Sequence, residues 1–108
     1  MRESDPFYHT MRWIKLRERI LRRDGYMCQI SKRYGKRVQA TLVHHIFPRS
    51  EYPEYEWEPW NLISVCVAAH NGLHDRESDA LTEEGLRLQE RTKMVMGNRI
   101  ATHPPPAP

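Results

Sequence analysis

The chain has 108 residues, 39% hydrophobic and 29% charged, enough for one compact domain with a modest core and too short for two. No run of about 18 apolar residues occurs, which excludes a membrane-spanning helix, and no apolar signal core follows the polar stretch Met1 to Asp5, so the expected location is the cytoplasm. The formal net charge is only +3, but the cations cluster: Arg12, Lys15, Arg17, Arg19, Arg22 and Arg23 fall in one segment, and Lys32, Arg33, Lys36 and Arg37 in another. Clusters of this kind attract phosphate, although charge alone reads equally well as a solvated helix face.

In chain order, the spacing of Trp13, Leu16, Ile20 and Leu21 predicts a basic helix over residues 9–24, stopped by Asp24-Gly25. Residues 26–37 are polar and contain Gly35, which predicts a turn-rich hairpin or loop. Val38 to Phe47 is β-branched and apolar enough for a strand, closed by Pro48. Residues 48–60 hold three prolines with Glu51, Glu54, Glu56 and Glu58 and read as an irregular acidic loop. This loop is expected to point away from any nucleic acid or to contact the basic helix, with Trp57 and Trp60 as packing residues. Asn61 to Val65 is a second short strand. A helix follows from Cys66 to about Asp75, and Thr82-Glu83-Glu84 opens a further short helix, with Thr82 or a neighbour as its N-cap and Leu81, Leu86 and Leu88 as its packing face. One domain over residues 1–102, with its core at about 38–76, precedes a Pro-rich tail, 103–108, with no apolar pattern.

Four of the six histidines lie between positions 44 and 74. His70 and His74 are spaced i, i+4, which on a helix puts both imidazoles on one face within reach of a shared cation. His44 and His45 end a strand. Neighbouring strand residues point to opposite faces, so both serve one site only if the strand ends or bulges there, as Pro48 suggests. A neutral imidazole, with a pKa of about 6.5, accepts a proton from water at neutral pH.

The segments Val43-His44-His45-Ile46-Phe47-Pro48, Trp60-Asn61-Leu62-Ile63-Ser64-Val65-Cys66 and His70-Asn71-Gly72-Leu73-His74 resemble, in order and spacing, the HNH endonuclease family, most closely its short phage and prophage type. Phe7-Tyr8 and Trp13 through Cys28 resemble the leader of that type. The resemblance implies an α+β fold: a ββα-metal finger with an N-terminal basic helix and a short C-terminal helix. It implies His45 as general base, His44 as the preceding metal ligand and Asn61 as a brace for the loop between the strands. It implies His70 and His74 as further ligands to one divalent cation, and products ending in 5′-phosphate and 3′-hydroxyl. Imidazole ligands suit zinc, nickel or manganese better than magnesium. DNA is the implied partner, with Arg12, Lys15, Arg19, Arg22, Arg23, Lys36 and Arg37 as candidate contacts. Phage terminase subunits are a further partner implied by the phage type.

Many family members hold a structural zinc with two Cys-x-x-Cys pairs. Here the matching positions read Cys28-Gln-Ile-Ser31 and Cys66-Val-Ala-Ala69, so four thiolates are not available and no structural zinc is expected. Cys28 and Cys66 should still lie close together, packed or able to oxidise. The missing stabilisation should come from Ile30, Val65, Val67 and the leader helix. Two other readings remain open: a silent HNH-fold module that binds DNA or terminase without cutting, and a zinc peptidase. The peptidase motif needs a Glu where this chain has Asn71, which cannot accept a proton.

Overall fold

The computed structural model describes residues 5–75, 78 and 80–97; the expected tail at 103–108 and His103 lie outside the described residues. The element order is a 3-10 turn Pro6–His9, α1 Met11–Arg23, α2 Gln29–Arg33, β1 Leu42–His45, 3-10 turns Pro53–Tyr55 and Pro59–Asn61, β2 Leu62–Val65, α3 Val67–Leu73 and α4 Glu83–Met96. This is the expected α+β arrangement, two antiparallel strands with helices around them. No described helix is long and apolar enough to cross a membrane.

The basic helix begins at Met11 and not at position 9. Asp5 caps the preceding 3-10 turn through Phe7 N, and Thr10 then accepts from Trp13 N as the cap of α1. Its end is a Schellman stop: Tyr26 N donates to Leu21 O and Gly25 N to Arg22 O, with Gly25 at φ +63°. The polar stretch expected to be hairpin or loop is both hairpin and helix. Residues 26–28 pair with 38–40 at its base, through Cys28 N to Val38 O and Ala40 N to Tyr26 O. Between them lies α2, which the sequence reading lacked. The strand expected over 38–47 is therefore split, and only Leu42–His45 belongs to the two-stranded sheet.

The register Leu42↔Val65, Val43↔Ser64, His44↔Ile63 and His45↔Leu62 sorts the side chains onto two faces. Val43, His45, Leu62 and Ser64 face α1, and Val43 and Leu62 join Trp13, Leu16, Ile20 and Leu21 in one core cluster. Leu42, His44, Ile63 and Val65 face the opposite way, where Val65 meets Ile30, Phe47, Leu73 of α3 and Leu88 of α4 in a second cluster. A single histidine pair, at the end of one strand, thus belongs to both layers.

Among the described residues, no third strand pairs with the outer edge of β2. Side chains from the end of α1 take its place: Arg23 donates to Leu62 O at 2.7 Å and to Pro59 O at 2.8 Å, and Asp24 accepts from Ser64 N at 3.0 Å. An edge satisfied in this way is closed to pairing with another chain. At the far side α4 closes on the end of α3. It runs 14 residues, longer than the leucines at 81–88 foretell, and Gly85 packs against Leu73 so tightly that a Cβ there would lie 2.8 Å from the Leu73 carbonyl oxygen.

Candidate metal centre and cleft

His44 is almost fully buried on the α3 side of β1, and its Nε2 has no hydrogen-bond partner among the described residues. Burial, and then the neighbouring His70 and His74, hold its pKa well below the ordinary value, so the ring is neutral and offers a lone pair. His70 lies in the last turn of α3. His74 does not lie on that helix, contrary to the i, i+4 argument: α3 ends at Leu73, and His74 is extended (φ −124°, ψ 142°) and bridged to Leu81. The chain turn nevertheless brings the rings together. Their centroids are 5.5 Å apart for His44 and His70, 5.1 Å for His44 and His74, and 5.0 Å for His70 and His74. Each of the three offers a ring nitrogen within 4.8 Å of the others'. A buried imidazole nitrogen without a partner among the described residues, beside two more imidazoles, is a donor set that could hold a divalent transition-metal ion.

His45 sits on the other face of β1, stacked on Trp13 at 5.1 Å and 20° between planes, with Phe7 edge-on at 5.7 Å. Burial pushes its pKa down to about 4 against the opposing effect of the Glu56 carbonyl. That carbonyl lies 3.1 Å from Nε2. A carbonyl only accepts, so Nε2 carries the proton and Nδ1 keeps the lone pair. His44, His45, His70 and His74 all line one cleft of about 570 Å³, because β1 ends at His45 and the cleft wraps around that end.

Asn61 is fully buried and does not face the cleft. Its Oδ1 accepts from Phe47 N at 2.7 Å, and its Nδ2 donates to Phe47 O and Tyr55 O, each at 3.1 Å. It thereby joins the start of the 48–60 loop to its end, and the Glu56 carbonyl that orients His45 lies within the span it braces.

Two cleft residues carried no sequence signal. Gln89 of α4 is buried and donates to Ile46 O at 3.0 Å, fixing the backbone just past the histidine pair. Arg49, immediately after Pro48, pairs with Asp5 at 2.8 Å and Glu56 at 3.2 Å and lies 3.7 Å over the Phe7 ring. A lone arginine in an acidic loop has no motif. The loop itself turns inward: Trp57 packs on Phe7 and carries Arg12 of the basic helix 3.9 Å above its ring, and Trp60 packs on Phe47 and Tyr55.

Of the cations expected to meet DNA, Arg12, Lys15, Arg19, Arg22, Lys36 and Arg37 are exposed, Arg22 beside Glu18. Arg23 is exposed as well, but its guanidinium is bonded to the Pro59 and Leu62 carbonyls and to Asp24. Cys28 and Cys66 meet around Ser31, whose Oγ is 3.3 Å from one sulfur and 3.9 Å from the other. Both are free thiols that cap helices, Cys28 for α2 and Cys66 for α3. Burial raises the Cys28 thiol, but bonds from Ser31 and Cys66 outweigh it and leave it below its usual value. Ile30 and Val65 are buried beside them, whereas Val67, expected to help there, is exposed because it opens α3 on the solvent side.

No family model and no curated protein matches the chain. Among solved structures it is similar to the HNH endonuclease of the deep-sea thermophilic bacteriophage GVE2, crystallised with manganese ion. The TM-score is 0.60 and the identity 33%, over 64% of this chain and 75% of that one. Likeness at that identity over most of the relative agrees with a strand pair, a helix and three converging imidazoles in the order the motif demands, and the chain belongs to the HNH endonuclease family.

Proposed function

We propose that this protein is a metal-dependent endonuclease that hydrolyses phosphodiester bonds of DNA. The observation that carries the reading is the pairing of a three-imidazole cluster with a fourth imidazole of fixed tautomer on the same cleft. His44, His70 and His74 would hold the cation. Manganese is the first candidate because the similar phage enzyme was crystallised with it, and zinc, nickel and magnesium are the alternatives. A cation held there would supply charge neutralisation for the scissile phosphate and its leaving oxygen.

The chain's own residues do the rest. His45, neutral at physiological pH and donating through Nε2 to the Glu56 carbonyl, takes a proton from water at Nδ1. Trp13 and Phe7 hold the ring in place and keep bulk water from it. Asn61 keeps the 48–60 loop, and with it the Glu56 carbonyl, in register with the strand end. Arg12, Lys15, Arg19, Arg22, Lys36 and Arg37 supply exposed positive charge for the DNA backbone. Products with 5′-phosphate and 3′-hydroxyl ends are expected.

Supercoiled plasmid incubated with the protein and a panel of divalent metals tests the proposal. Metal-dependent nicking or linearisation is expected, lost in His45→Ala while metal binding, read by calorimetry, persists. Metal binding without cleavage under any ion would instead identify a silent binding module.

A further inference from the structure

Among the described residues lining the cleft that holds the four histidines, Arg49 is the one that carries a guanidinium. Its position is built. Phe7 lies flat beneath it at 3.7 Å, Glu56 takes its Nε at 3.2 Å, and Asp5 takes its Nη1 at 2.8 Å. Phe7 also packs edge-on against His45, and Glu56 supplies the carbonyl that orients His45. The guanidinium is therefore held by the same two residues that hold the candidate base.

The two carboxylates play different parts. Glu56 is on the loop that carries Arg49 and anchors it from one side. Asp5 comes from the far end of the chain, is itself a cleft-lining residue, and its Arg49-facing side chain is 37% exposed. Its other oxygen is already engaged in capping Phe7 N at 2.9 Å. The Asp5 carboxylate oxygen occupies a place on Arg49 that a phosphate oxygen would take, since carboxylate and phosphate both offer anionic oxygens that accept charge-assisted hydrogen bonds from a guanidinium. In a cleft meant for polyanion, an aspartate there is unfavourable unless it gives way.

Resting on the nuclease reading above, we propose that Arg49 binds the DNA phosphate in this cleft and that Asp5 is an internal competitor which DNA displaces from it. Asp5 then sets the strength of DNA binding: it keeps the guanidinium ordered and charge-balanced in the free protein, and leaves it to the phosphate in the complex. A purely structural Asp5–Arg49 tie predicts the opposite sign, because breaking it would loosen the cleft.

The test measures binding of a fluorescent random-sequence DNA duplex by anisotropy, in a His45→Ala background with manganese, across a salt series. Asp5→Asn keeps the cap on Phe7 N, since Asn caps as well as Asp. It is expected to tighten binding about threefold or more, and Arg49→Ala to weaken it about tenfold and lower the salt slope by about one. Asp5→Asn is expected to have no effect when Arg49 is already Ala. Equal tightening with and without Arg49 means simple loss of a negative charge and overturns the proposal, as does weakening by Asp5→Asn. If Arg49→Ala fails to fold by circular dichroism, Arg49→Lys replaces it, with weakening expected because the fork is lost; unchanged affinity overturns the proposal. Plasmid cleavage by the unmodified protein is scored separately. A chain that cuts without this coupling sinks the inference alone, and one that shows the coupling without cutting sinks the nuclease reading alone.

Discussion

Asn61 shows how one side chain carries structure that the chemistry then uses. It is fully buried and satisfies the Phe47 amide and the Phe47 and Tyr55 carbonyls. Asn61→Ala leaves the buried Phe47 amide and carbonyl, and the part-buried Tyr55 carbonyl, without this partner, a cost of about 2–4 kcal/mol. Thermal melts are expected to show that loss, and cleavage is expected to fall further than the remaining folded fraction explains, because the Glu56 carbonyl loses its register with His45. Asp24 adds a pH dependence. Burial pushes its carboxyl up, but Arg23 and the Ser64 amide and hydroxyl outweigh it and hold it below its usual 3.8. The stability it contributes is therefore present above pH 3.8 and is lost as pH falls through the lower folded value. The difference in melting temperature between the wild type and Asp24→Asn is expected to shrink as pH drops from 7 towards 3. A constant difference would show that the charge of Asp24 is not involved.

Among the elements, α4 secures the end of α3 and, through it, His74. Gly85→Ala puts a methyl against the Leu73 carbonyl, where backbone and not a flexible side chain must move. A loss of about 1–3 kcal/mol is expected, with weaker manganese affinity by calorimetry, because the displaced segment leads directly into His74. Elements were legible in the sequence where one periodicity or motif dominated. The apolar stripe of α1 and its Gly25 stop, the strand pair at 42–45 and 62–65, and the Thr82 cap of α4 all carry such signals. The helix α2 was hidden because its cap is the thiol of Cys28, outside the Ser, Thr, Asp and Asn set that marks helix starts. His70 and His74 were paired by a helical spacing that the backbone does not keep. The fold recovers their contact through an extended residue bridged to Leu81. Arg49 and Gln89 were invisible because their roles depend on partners 44 and 43 residues away.

The molecule as a whole is two core clusters on either side of a two-stranded sheet, with the histidines at the seam. A cation bound by His44, His70 and His74 ties β1 to the α3–α4 layer, so it stabilises the folded chain by mass action. Manganese at about a hundred times its dissociation constant is expected to contribute about 2.7 kcal/mol, seen as a rise in melting temperature that EDTA reverses. In His74→Ala the rise is expected to shrink while the metal-free melting temperature stays close to wild type. A rise of the same size would remove His74 from the ligand set.

The side-chain closure of the outer edge of β2 has a consequence for local opening. Ser64 N–H is bonded to the carboxylate of Asp24 and not to a neighbouring strand. Its exchange with deuterated solvent is therefore governed by the docking of the leader helix. Slow exchange at this one amide would report that the leader and the finger open together as a single cooperative unit.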